Sequence, residues 1–231
     1  MNDPVKIDKP TDEMIAIPFN VNDRVLREAF FDHLFHRAIE NLREEDQALW
    51  GGMSARHMVE HLDWAIGLSI AATNVDCKTL PHLIERAKRF LYDNRPTPHE
   101  FRNPLLGETP PAFRFGSMAE AKAALRMATT SYLHHFREHP EAVHVHPLFG
   151  PLGAEEWERA HFKHCYHHLL QFRLVSAVGG AVVAGPAHQK STMADLQSLI
   201  RRTARNWRFQ IKDCRSLIFE VCGRNATHLS M

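Results

Sequence analysis

The sequence predicts an all-α fold, a four-helix bundle with one long crossover connection between helices two and three. Three observations lead there. Four segments place apolar residues three and four apart, the spacing of one helix face. Asn, Asp or Ser stands at helix starts, where a side-chain oxygen can accept from an unpaired backbone N–H. A long stretch between the second and third of these helices carries prolines at 96, 98, 104, 110 and 111 and reads as surface connection.

The elements follow in order. Residues 1–22 are polar, carry Pro4, Pro10 and Pro18, and form an irregular lead-in. A first helix over 23–42 opens at Asn22 or Asp23 and repeats apolar residues at 26, 30, 34 and 38, with others at 31 and 35. "GGMS" at 51–54 is a turn that ends in a capping serine. The second helix, 54–72, gathers Met58, Leu62, Ala65 and Ile66 on one side. A shorter helix over 80–92 has proline at its second position and belongs to the crossover, as does the connection 93–117. Ser117 caps the helix 118–139. "PEAVHVHPLFGPLG" at 140–153 reads as a loop. The last strong helix, 154–175, has Glu155 and Glu156 in its first turn, where the helix dipole favours acid. No strand signal competes before residue 205.

The organisation is therefore a lead-in (1–22), a helical bundle (23–175) and a C-terminal extension (176–231). The extension begins with the linker-like "SAVGGAVVAGPAHQKS". It continues with one short helical stretch, 192–207, and a weak strand-like alternation after it.

Composition narrows the function classes. Of the 231 residues, 44% are hydrophobic and 24% charged, enough for an ordinary buried core. A formal net charge of +1 supplies no basic face, so nucleic acid is not an expected partner. The longest weakly polar stretch, 174–187, is too short and glycine-rich to span a bilayer, so no membrane partner is expected. The N-terminal "MNDPVKIDKPTDE" has no apolar run and does not read as a secretory signal. The cysteines, at 77, 165, 214 and 222, form no C-x-x-C pair. A cytoplasmic, thiol-reduced chain is the expectation, with a homodimer as an allowed assembly.

The unusual total is 17 histidines. Four of them fall in "HFKHCYHHLLQF", 161–172. On a helix, His164 and His168 lie one turn apart with Cβ atoms about 5–6 Å from each other. Two rings so placed can converge on one cation at roughly 2.0–2.1 Å. His161 lies on the same side one turn earlier, and His167 points well away. The second helix offers His57 and His61, also four apart. His61 is interleaved with Met58 and Ala65 and faces inward, whereas His57 stands near the helix start, at the rim or surface. A lone pair at this spacing is most simply a pair of surface or hydrogen-bonded histidines. Two pairs on two helices favour metal. "ERAH" at 158–161 resembles half of a di-iron site, but no second E-x-x-H accompanies it. There is no G-x-S-x-G and no phosphate loop.

"MSARHMVEHL" (53–62), "NPLLGETPPAFRF" (103–115), "HPLFGPLGAEEW" (146–157) and "HFKHCYHHLLQF" (161–172) together resemble the DinB-like superfamily of metal-binding four-helix bundles. The nearest branch is known mainly as a domain of unknown function. The resemblance covers about 20–175. It implies one ligand from the second helix, mapping to His61, and an H-x-x-x-H pair from the last, mapping to His164 and His168; His57 maps to no ligand. It implies a divalent metal, Zn²⁺, Ni²⁺ or Fe²⁺, all of which suit imidazole. Some members resemble thiol transferases that use the metal to activate a small-molecule thiol. Family chains similar to this one tend to stop soon after "HHLLQF", whereas 56 residues follow here.

Two functions are expected to compete. One is a metal-dependent thiol transferase or hydrolase acting on a small molecule, with His57 or His161 as general base. The other is a non-catalytic, stress-related protein that binds a metal or a small ligand. Cys165 is a poor nucleophile candidate, one residue past His164 and as easily a small core residue.

Overall fold

The structure is a computed structural model that describes residues 14–72, 74–99 and 111–176. The tail helix and strand expected after Ser176 lie outside the described residues. What is described is mostly helical, with little sheet.

The first helix, α1, runs through Arg24–Ala29, a π-helical stretch Phe30–Leu34 and Phe35–Glu40. Asp23 caps it, its carboxylate accepting from Leu26 N at 3.0 Å. The π stretch widens the turn, so Phe30, Phe31 and Phe35 all face the core while Leu34 is only half-buried. A regular four-residue stripe through 26, 30, 34 and 38 misses this rotation.

Helix α2 (Ala55–Leu68) starts at Ser54, whose hydroxyl accepts from His57 N. It ends before the expected residue 72. Ser69 Oγ donates to Ile66 O, and Ala71 takes a left-handed φ of 53°, which stops helical propagation. A short 3-10 turn Pro81–Leu83 leads into α3 (Ile84–Tyr92), which buries Ala87 and Leu91. Helix α4 (Met118–Glu138) is capped by Ser117 through Glu120 N. Helix α5 (Ala154–Gln171) is buried on nearly every side. It closes with Leu174 N donating to Leu169 O and Arg173 N to Leu170 O, Arg173 having φ 53°. That paired closure uses the last carbonyls and turns the chain out of the helix four residues before the expected 175.

One apolar cluster unites all of these elements. Phe30 stacks edge-on against Phe162 at 4.9 Å between ring centres, and Phe31 meets Tyr132 at 5.8 Å.

Two small sheets were not foreseen. Strand β1 (Ile15–Ala16) pairs in parallel with β4 (Val175–Ser176). Ile17 and Val21 behind β1 are fully buried, and the Tyr166 hydroxyl donates to Ile17 O at 2.8 Å. The 140–153 segment, expected as a loop, folds as a hairpin of β2 (His144–His146) and β3 (Gly150–Leu152). His146 shapes its turn: the ring Nδ1 accepts from Leu148 N (3.0 Å) and Phe149 N (3.3 Å). Gly150, at φ 70°, lies where a Cβ would come within 3.0–3.1 Å of the Ile84 side chain.

The crossover is pinned to this framework. Thr79 Oγ1 donates to Leu148 O, and the buried Lys163 ammonium donates to the carbonyls of Asp93 and Arg95, both at 2.6 Å. Burial pushes the Lys163 amine down to about 7, with Asp93 opposing that shift.

Candidate metal centre

Helix α2 brings His61, and α5 brings His164 and His168, to one point. His61 Nε2 is 2.9 Å from His164 Nε2, which is 3.1 Å from His168 Nε2. All three ligand atoms lie within 4.8 Å of one another. Two zinc-bound imidazole nitrogens in a tetrahedron stand about 3.3 Å apart, given Zn–N distances of about 2.0–2.1 Å. His168 is buried, while His61 and His164 keep partial residue exposure.

Proton placement distinguishes this trio from an ordinary hydrogen-bonded cluster. Gln171 Nε2 donates to Trp50 O at 2.7 Å, so Gln171 Oε1 faces His168 Nδ1 at 2.8 Å as an acceptor. His168 therefore carries its proton on Nδ1 and offers a lone pair at Nε2. His164 Nε2 can give a proton to one neighbour or accept one from His61. In either tautomer, one of its two close contacts has no proton between the nitrogens. A cation satisfies all three lone pairs together. The three imidazoles could thus hold a metal ion.

All three ligands lie inside the stretch 29–174, which matches the family model described as "Protein of unknown function (DUF1569)". The chain belongs to this family. No curated protein and no solved structure matches it.

In this DUF1569 chain the electrostatics keep the imidazoles neutral and ready to ligate. Burial pushes His61 down to about 4, helped by the charges of His167 and Arg114. Burial likewise pushes His164 and His168 well below the ordinary histidine range, and the neighbouring ring of His61 adds to it in both.

Of the carboxylates and amides near the ligands in sequence, only Gln171 supports a ring. Glu60 instead accepts from Arg114 N at 2.7 Å, and Asp63 pairs with the Arg114 guanidinium at 2.6 Å. Gln171 is itself clasped by the α1–α2 turn. Leu49 N donates to Gln171 O, and Gly51 (φ 77°) lies where a Cβ would come within 3.2 Å of Gln171 Nε2. Supporting groups of this kind typically hold 10–100-fold in metal affinity. Gln171→Ala is accordingly expected to weaken Zn²⁺ binding by about 10–100-fold, read by competition with a chromogenic chelator.

The other two singled-out histidines are not brought into the trio. His57 Nε2–H donates to Pro111 O (3.1 Å), its Nδ1 accepts from Ser54 Oγ (2.7 Å), and its ring stacks on Phe113. His161 is buried between Trp157 and Tyr132, with Nε2 lacking a hydrogen-bond partner. Cys165 is fully buried, and burial raises its thiol above the ordinary range.

Sequence reasoning gave no role at the site to Arg114 or His167, and read Trp50 only as a core or cap residue. His167, expected to point well away, is buried beneath Trp50 and the crossover, its Nδ1 facing Thr97 O at 3.2 Å. Because α5 is enclosed on nearly all sides, a residue off the ligand stripe still meets protein. Arg114 lies inside the quoted 103–115 segment, but nothing in that segment says which carboxylates it meets.

Proposed function

We propose that this DUF1569 chain is a DinB-like four-helix bundle, built from α1, α2, α4 and α5 with α3 in the crossover. In this reading it is a metal-dependent thiol transferase or hydrolase for a small molecule. The carrying observation is the convergence of three neutral imidazole Nε2 atoms within 4.8 Å of one another. When bound, a divalent ion on three protein ligands supplies Lewis-acid chemistry, lowering the pKa of water or a thiol at its remaining position.

The chain's residues supply the rest. Gln171 fixes the His168 tautomer and the ring's aim. Arg114, held by Asp63 and the Glu60 carbonyl, keeps a fixed positive charge near His61, suited to an anionic or polarised substrate group. His57 stands one turn before His61 at the half-exposed rim and is the better general-base candidate; release of its Ser54 contact frees Nδ1. His161, enclosed by aromatic rings, serves packing. A cytoplasmic setting would keep a thiol substrate reduced. Among the described residues no helix is long and apolar enough to cross a membrane.

The test loads untagged protein with Zn²⁺, Ni²⁺ or Fe²⁺ and offers a low-molecular-weight thiol with an aryl halide or epoxide, and separately a simple ester. Turnover that disappears in His168→Ala and falls in His57→Ala, with metal content retained in the latter, is the expected result. If no metal form exceeds the background rate while metal still raises the melting temperature, the chain binds metal without turnover.

A further inference from the structure

A second group of imidazoles, none of them in the trio, meets where α4 ends against the β2–β3 hairpin. His135 lies in the last turn of α4 and His139 is its C-cap residue. His144 opens β2. His135 Nε2 stands 2.8 Å from His144 Nε2, and the His139 ring lies 5.3 Å from the His135 ring.

Each member is held differently. His144 is fixed by the hairpin ladder and by Trp157 Nε1, which donates to its carbonyl at 3.3 Å. His135 is half-buried and set by the helix. His139 is exposed, so rotation about its side-chain bonds brings its ring toward the other two. The last carbonyls of α4 place the negative end of a helix dipole there, which favours a cation. His134, Glu138 and Ser131 line an adjoining open depression of about 410 Å³, which leaves room for a hydrated ion and adds oxygen donors.

We propose that His135, His139 and His144 form a second site for a borderline transition cation, Zn²⁺, Ni²⁺ or Cu²⁺. It is weaker than the buried trio because one of its ligands must be ordered on binding. An ion there would tie the hairpin to α4. The inference does not depend on the proposed activity, because none of these residues belongs to the trio.

The experiment uses the full, untagged chain and Ni²⁺ titration by calorimetry, with imidazole NMR resonances followed for paramagnetic broadening. Wild type is expected to bind one more saturable equivalent than His144→Ala or His135→Ala, and His139→Ala to keep that equivalent at reduced affinity. The His135, His139 and His144 signals broaden together in this phase. The His164→Ala/His168→Ala double variant should retain the same equivalent. Should that variant not fold, the comparison of wild type with His144→Ala decides alone. An unchanged number of equivalents in His144→Ala, or broadening confined to other histidines, overturns the site.

Discussion

Purified without a histidine tag, the His164→Ala protein is expected to emerge almost free of divalent metal, while the wild-type chain carries about one tightly held equivalent. His164 is the decisive position because its Nε2 is the one within 3.1 Å of both other ligand atoms. Losing a supporting hydrogen bond costs about 10–100-fold in affinity, so losing a direct ligand is expected to exceed about 100-fold. The fold should survive, since His164 keeps partial exposure and lies outside the apolar cluster. Elemental analysis reads the metal, and thermal denaturation supplies a second reading. Zn²⁺ at 100 times its dissociation constant stabilises a folded chain by about 2.7 kcal/mol, a gain expected in wild type and absent in the variant. Equal metal content in the two proteins would end the assignment.

Acid is expected to destabilise the protein well before its carboxylates protonate. Burial pushes both His146 and His161 down to about 3, and in His146 the charge of His161 adds to that. An unfolded chain returns each to the ordinary value of about 6.5. Between about pH 6.5 and 3 the unfolded state therefore holds more protons, and stability falls as pH falls. Each ring contributes about 1.4 kcal/mol per pH unit, or about 4 kcal/mol for the pair between pH 7 and pH 5. His146 has a structural reason to resist protonation: a proton on Nδ1 would evict both backbone N–H groups that shape the hairpin turn. Urea midpoints at pH 7, 6 and 5 provide the measurement. His161→Phe, which keeps an aromatic ring against Trp157 and Tyr132, is expected to flatten the slope. Identical slopes in the two proteins would show that His161 does not stay neutral in the folded state. In metal-free protein the trio's imidazoles, also depressed by burial, add to the fall in the same direction.

The legible parts of the sequence were those governed by local rules. Asp23, Ser54 and Ser117 cap helices as their side chains dictate, and those helices begin within a residue of the expected starts. The convergence of His61, His164 and His168 was legible because one-turn spacing is a geometric constraint and the quoted segments carried the pairing between helices. What escaped depends on contacts distant in sequence. The β2–β3 hairpin has three-residue strands, one of them holding Pro151, too short for an alternating signal. The π stretch in α1 leaves the sequence pattern helical and changes only which side chains turn inward. Arg114 and Glu60 are 54 residues apart, and no local pattern announces their pairing. The helix overruns at residues 72 and 175 share one cause: left-handed residues, Ala71 and Arg173, that are not glycine and so give no stop signal.

The parallel pairing of Ile15 with Val175 joins the two ends of the described chain. Among the described residues such a contact has the largest loop-closure cost, and two residues per strand return little for it. It should therefore close late, after the helices have packed, and reopen first under stress. Its job is that of a latch on the assembled domain rather than a nucleus for it. A circular permutant of residues 14–176 that covalently joins positions 14 and 176 would turn this slow, long-range step into a local one. Such a chain would fold faster while keeping the same interior.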